Sequence, residues 1–131
     1  MLFDTSIWID FLNGNSTNDA ELLQSNIAND KPVLICPPIY QEILQGVRDE
    51  YRFTEIKDLL MSIDFLYLDG FFAAEGAAQL YRSIRKRGVT INKPNDCLIS
   101  FYAIHFNIKL VHNDTDFEKI AKHSTLKLYT T

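Results

Sequence analysis

Cysteine is scarce in this chain. Only Cys36 and Cys97 occur among 131 residues, both within apolar runs. Their spacing fits neither a disulfide framework nor a cysteine metal site, and they read as buried thiols of a reducing compartment. Long apolar runs are missing too. None reaches the ~18 residues that a membrane helix needs. The N-terminus has no basic segment followed by an apolar stretch, because Asp4 interrupts it. These absences predict a cytoplasmic protein. Positive charge is not in excess: 13 Lys and Arg stand against 17 Asp and Glu, for a net charge of −4. That argues against broad affinity for nucleic acid through a basic surface. It leaves nucleic-acid chemistry open, since a site of carboxylates adds negative charge that divalent cations offset. There is no linker, low-complexity run or internal repeat. At 47% hydrophobic and 23% charged residues, the composition predicts one globular domain over residues 1–131.

The stretch that organises the rest is Leu2-Phe3-Asp4-Thr5-Ser6. Two apolar residues deliver an aspartate to the end of a short strand. Thr5 and Ser6 read as caps of a helix whose apolar positions are Ile7, Trp8, Phe11 and Leu12, stopped by Asn13-Gly14. A second helix is predicted over Ala20–Ala28. Pro32–Cys36 is a continuous apolar run, as expected of a strand buried on both faces. Pro37-Pro38 opens the next helix, Ile39–Leu44. Further helices are predicted over Glu50–Met61 and from Phe72 to Arg87, with a third strand over Phe65–Leu68 between them. Asn92 reads as the cap of a helix opened by Pro94 and running to about Phe106. Lys109–His112 is a fourth strand, Asp116–Lys122 a short helix and Leu126–Tyr129 a last strand. Strands separated by helices imply parallel pairing through right-handed crossovers. The fold class is therefore α/β: one parallel sheet of four to five strands with helices on both faces.

Acidic residues recur where elements begin or end. Asp4 follows strand one, and Glu42 lies one turn into the helix after strand two. Asp96 is in the first turn of the helix opened by Pro94. Asp114 and Asp116 follow strand four. In a parallel sheet, the ends after strands one, two and four share an edge with the starts of the following helices. The acids can converge there. Carboxylates gathered without partners repel and push each other's pKa up. A hard divalent cation resolves that conflict, and Mg²⁺ or Mn²⁺ takes oxygen ligands. Such a site activates water and stabilises charge on a phosphodiester. Taken singly, Asp4, Asp96 and Asp116 are also ordinary helix caps or first-turn dipole partners, and Glu42 an ordinary solvated helix residue. Joint placement favours the site.

Four segments, "LFDTSIWIDFL" at 2–12, "PPIYQEILQGVRD" at 37–49, "NDCLISFYAI" at 95–104 and "LVHNDTDFEKIAKH" at 110–123, resemble the PIN-domain family. Within it they resemble the VapC-type toxins of bacterial toxin–antitoxin pairs. They cover nearly the whole chain in the family's order. The resemblance implies a Mg²⁺- or Mn²⁺-dependent endoribonuclease that cuts a structured RNA, such as transfer or ribosomal RNA. It carries the family's acids onto Asp4, Glu42, Asp96 and Asp114, with Asp116 as a fifth. Asp4, Asp96 and Asp114 would hold metal, and Glu42 and Asp116 would hold a second metal or orient water. It also implies a homodimer and a VapB-type antitoxin lying across the active-site groove. Trp8, Phe11, Leu12 and the helix from Glu50 are the candidate contacts, with core packing as the other reading of each. Arg82, Arg85, Lys86 and Arg87 either hold RNA phosphates or form the solvated end of a helix. His112 either meets a neighbouring acid or phosphate, or is structural.

Two competitors stand beside the nuclease. One is a PIN-like module that binds RNA or protein without cutting, for which a full set of acids has no use. The other is a phosphatase or phospho-receiver using Asp4 as nucleophile. Phosphatases of the haloacid dehalogenase type want a second aspartate two residues on, and Ser6 stands there.

Overall fold

The computed structural model describes residues 1–131. Four strands, β1 (Leu2–Phe3), β2 (Leu34–Ile35), β3 (Asp64–Phe65) and β4 (Leu110–Val111), pair in parallel in the order β3-β2-β1-β4. Leu2 lies opposite both Leu34 and Leu110, so β1 is flanked on each side. Its apolar pair is fully buried, as expected of a strand covered on both faces. Each strand is only two residues long, shorter than the apolar runs that announce it. The third strand covers Asp64–Phe65 rather than Phe65–Leu68, and both its residues are exposed at the sheet edge. The expected fifth strand is a single parallel bridge between Leu128 and Leu110.

Helices α1 (Thr5–Leu12) and α2 (Asn18–Ala28) connect β1 to β2. Helices α3 (Pro37–Gln45) and α4 (Glu50–Met61) connect β2 to β3, and α5 (Gly70–Lys86) and α6 (Pro94–His105) return the chain to β4. Helix α7 (Thr115–Lys122) follows β4. The chain steps outward from β1 to β3, then crosses back to β4 beside β1. Right-handed crossovers in opposite directions put the two sets of helices on opposite faces. They also make the β1/β4 boundary the switch point of the sheet, where open α/β folds place ligands.

Local sequence explains most boundaries. Pro37-Pro38 and Pro94 occupy first turns, where a missing N–H costs nothing. Gly88, at φ 79°, follows α5 in a conformation that a side chain would oppose. Thr17, Asp49, Asp69 and Asp114 each cap a helix through a side-chain oxygen. The helices that start beside the site differ. Asp4, Cys36 and Lys93 hold the cap positions of α1, α3 and α6, and none makes a side-chain cap bond. Thr5 and Ser6 are therefore inside α1 rather than its caps, and Lys93, not Asn92, takes the cap position of α6.

Leu2, Phe3, Ile35, Trp8, Ile99, Leu110 and Phe117 anchor one apolar core. Cys36 and Cys97 are free and buried within it. Burial pushes their thiols up to about 12 and about 11, which removes them as nucleophiles at neutral pH. No helix is long and apolar enough to cross a membrane.

Candidate metal centre

Two helix starts and one strand exit build the centre of the site. Hydrogen bonds from Leu2 N to Lys109 O (3.0 Å) and from Asp4 N to Val111 O (2.9 Å) lock β1 against β4. That register sets Asp4 beside the turn that carries Asp114 and Asp116. Pro94 starts α6 so that Asp96 falls in its first turn. Oxygens of Asp96, Asp114 and Asp116 all lie within 4.8 Å of one another. Asp4, Asp96 and Asp116 are buried, at 7%, 5% and 2% exposure.

The acids are not equivalent. Asp96 Oδ2 is buried with no hydrogen-bond partner. An unpaired carboxylate oxygen in a buried place is costly. Burial, then repulsion from Asp4 and Asp114, pushes Asp96 up to about 7. Burial likewise raises Asp4, with Glu42 and Asp114 adding repulsion. Asp114 goes the other way. The Asp116 N–H donates to its Oδ1 (2.9 Å) and the Lys93 ammonium to its Oδ2 (2.9 Å), and these bonds hold it below the usual carboxylate range.

Asp116 is largely occupied. Its Oδ2 accepts the backbone N–H groups of Asn92 (3.0 Å) and Lys93 (3.2 Å), and its Oδ1 is 3.5 Å from Lys119 Nζ. It fastens the turn that positions α6. Glu42 stands outside the close triad, and the start of α1 holds it and Asp4 by separate bonds. Thr5 Oγ1 donates to Glu42 Oε1 (2.8 Å), while Ser6 Oγ donates to Asp4 Oδ2 (3.3 Å).

A hard cation fits this donor set. The available atoms are carboxylate oxygens, three of the carboxylates are close together, and one buried oxygen is unpaired. His112 does not add to it. Its Nδ1 accepts the Asp114 N–H (3.2 Å), and its ring meets Phe117 edge-on at 5.6 Å, which makes it a brace of the turn.

Arg82, Arg85, Lys86 and Arg87 are exposed at the end of α5, and Arg85 stacks over Tyr81 at 5.6 Å. They stand outside the acid triad. Trp8 is fully buried, so core packing accounts for it. A hollow of about 430 Å³ between α1 and α4, lined by Ile9, Leu12, Ile43, Val47, Arg52 and Ile56, contains none of the five acids.

Two pairings are not legible in the sequence, where Lys93 has no role and Thr5 reads as a cap or, by the resemblance, as an aid to ordering Asp4 or a metal water. Lys93 pairs with Asp114 across 21 positions, and Thr5 reaches Glu42 across 37. The one local signal was a lysine at a helix start, where the dipole disfavours a cation.

The PIN domain family model matches residues 1–123. VapC ribonuclease Mb1587 of Mycobacterium bovis and ribonuclease VapC11 of Mycobacterium tuberculosis are each 31% identical over 128 residues, covering 97% of this chain and 96% of theirs. Among solved structures, VapBC2 from Rickettsia felis bound to a promoter DNA fragment matches with a TM-score of 0.75 at 19% identity, over 98% of this chain and 96% of that one. VapBC-1 from nontypeable Haemophilus influenzae matches with a TM-score of 0.72 at 18% identity, over 98% and 95%. At those identities the structural likeness speaks for the fold. Family model, sequence relatives and fold agree: this chain belongs to the PIN domain family, as one of its VapC-type members.

Proposed function

We propose that this protein is the toxin of a toxin–antitoxin pair, an endoribonuclease that needs Mg²⁺ or Mn²⁺. The observation that carries the reading is the Asp96–Asp114–Asp116 cluster at the β1/β4 switch point, with the buried Asp96 oxygen left unpaired. The relatives called VapC ribonucleases support the activity. Asp96 and Asp114 of that cluster would hold the cation, with Asp4, which lies outside the cluster but feels the Asp114 charge, as the third acid. A divalent cation bound there supplies charge neutralisation and activates water against a phosphodiester. Asp116 keeps the 92–93 turn, and hence Asp96, in place. Thr5 holds Glu42 near Asp4, where its carboxylate would accept a proton from the attacking water. Buried carboxylates and the β1–β4 register keep this arrangement preorganised.

The substrate would be a structured RNA met in the cytoplasm. Arg82, Arg85, Lys86 and Arg87 supply exposed positive charge for its backbone on a chain of net charge −4. The partner would be a VapB-type antitoxin, as in the solved VapBC complexes. The hollow between α1 and α4 offers it apolar walls, Leu12 among them. Exposed Phe65, Tyr67, Phe71 and Phe72 near the β3 edge give apolar surface for a homodimer.

The test is cleavage of total cellular RNA by purified protein. Discrete fragments are expected with Mg²⁺ or Mn²⁺ and none with chelator. Equal cleavage in chelator would sink the metal mechanism. Absence of both cleavage and Mn²⁺ binding would favour the non-cutting module.

A further inference from the structure

Lys93 is the one cation bonded to an acid that we assign to the metal. Its Nζ lies 2.9 Å from Asp114 Oδ2, while its backbone N–H is held by Asp116. Its side chain is 67% exposed, so the ammonium faces both the acids and solvent. It also occupies the cap position of α6 without making a cap bond. A cation there opposes the helix dipole, and only the acids around it favour its charge. Lys119 is different. Its ammonium also donates to the Thr90 carbonyl (3.4 Å), and its acid, Asp116, is already spent on two backbone N–H groups. Lys93 has no bond other than that to Asp114 to hold its ammonium in place.

We propose that Lys93 is a tethered counter-ion of the acid cluster that becomes a substrate-positioning residue. Without a divalent cation, its ammonium partners Asp114. When the cation takes Asp114, the ammonium is released beside the site and donates to a phosphate oxygen of the RNA. No bond is made or broken beyond this exchange of ion pairs. The inference rests on the metal-nuclease reading.

The test compares wild type, Lys93→Gln and Lys93→Arg. Mn²⁺ binding is read by calorimetry, and cleavage kinetics are read on total cellular RNA. Lys93→Gln has no ion pair to break, so it should bind Mn²⁺ up to about fivefold more tightly. Its KM for RNA should rise by about tenfold with kcat within about threefold, because the ammonium no longer bonds a phosphate. Lys93→Arg should recover most of the KM. A folded Lys93→Gln that binds Mn²⁺ as wild type does, or more weakly, overturns the proposal and leaves the nuclease reading intact. So does an unmoved KM. A wild-type protein that neither binds Mn²⁺ nor cuts RNA overturns both.

Discussion

Asp96 combines two properties that rarely persist together without a reason: it is buried, and one of its oxygens has no partner. Its titration makes this measurable. In the unfolded chain it ionises near 3.8, and in the fold at about 7. Between those values the folded state keeps a proton that the unfolded state has lost. Stability in chelator should therefore fall as pH rises through that window, and level off above about 7. Each pKa unit corresponds to about 1.4 kcal/mol. Urea unfolding of wild type against Asp96→Asn isolates the effect. The variant should gain on the wild type as pH rises, and saturating Mn²⁺ should reverse the order. Curves that stay parallel at every pH would contradict the origin given for the raised pKa. A second residue, Thr5, holds Glu42 by one hydrogen bond. Thr5→Val keeps the shape and removes the donor, at about 1 kcal/mol of stability. Cleavage should fall about tenfold if Glu42 needs that bond, and an unchanged rate would remove Glu42 from the chemistry.

At the scale of elements, α5 packs on α6 where Gly76 meets the ring of Phe101. A Cβ on Gly76 would run into that ring. Alanine gains up to about 1 kcal/mol of helix propensity, and overpacking costs about 1–3 kcal/mol. Gly76→Ala should lose about 1 kcal/mol net by thermal unfolding, and Phe101→Leu in the same chain should relieve part of it. A gain in stability would show that the ring moves freely. Such meetings join residues far apart in sequence, so neither helix announces them. Boundaries were more legible. Prolines 37, 38 and 94 marked α3 and α6, and Gly88 marked the end of α5. The acids were legible for the same reason, since each stands close to such a mark or to the end of an apolar run. Strand lengths were not. The run Pro32–Cys36 has strand composition, but a ladder forms only where a neighbour lies alongside, and that is two residues. Lys93–Asp114 and Thr5–Glu42 stayed hidden because their meeting depends on the β1–β4 register and the path of α3.

For the whole molecule, charge placement matters more than net charge. A chain of −4 gathers five acids at one sheet edge and leaves four cations exposed at the end of α5. Replacing Arg82, Arg85 and Arg87 together by Gln should weaken RNA binding without touching the acids. The slope of log affinity against log salt should fall by about 0.7 for each phosphate no longer neutralised. An unchanged slope would assign that helix end to solvent. The central claim is that the acids at the β1/β4 switch point hold a divalent cation for RNA hydrolysis. Its most direct measurement runs wild type and folded Asp96→Asn side by side on total cellular RNA in Mn²⁺, with Mn²⁺ affinity measured on the same samples. The account predicts discrete fragments from the wild type, and a rate at least about 100-fold lower in the variant together with weaker Mn²⁺ binding. Equal cleavage by the two proteins would contradict it.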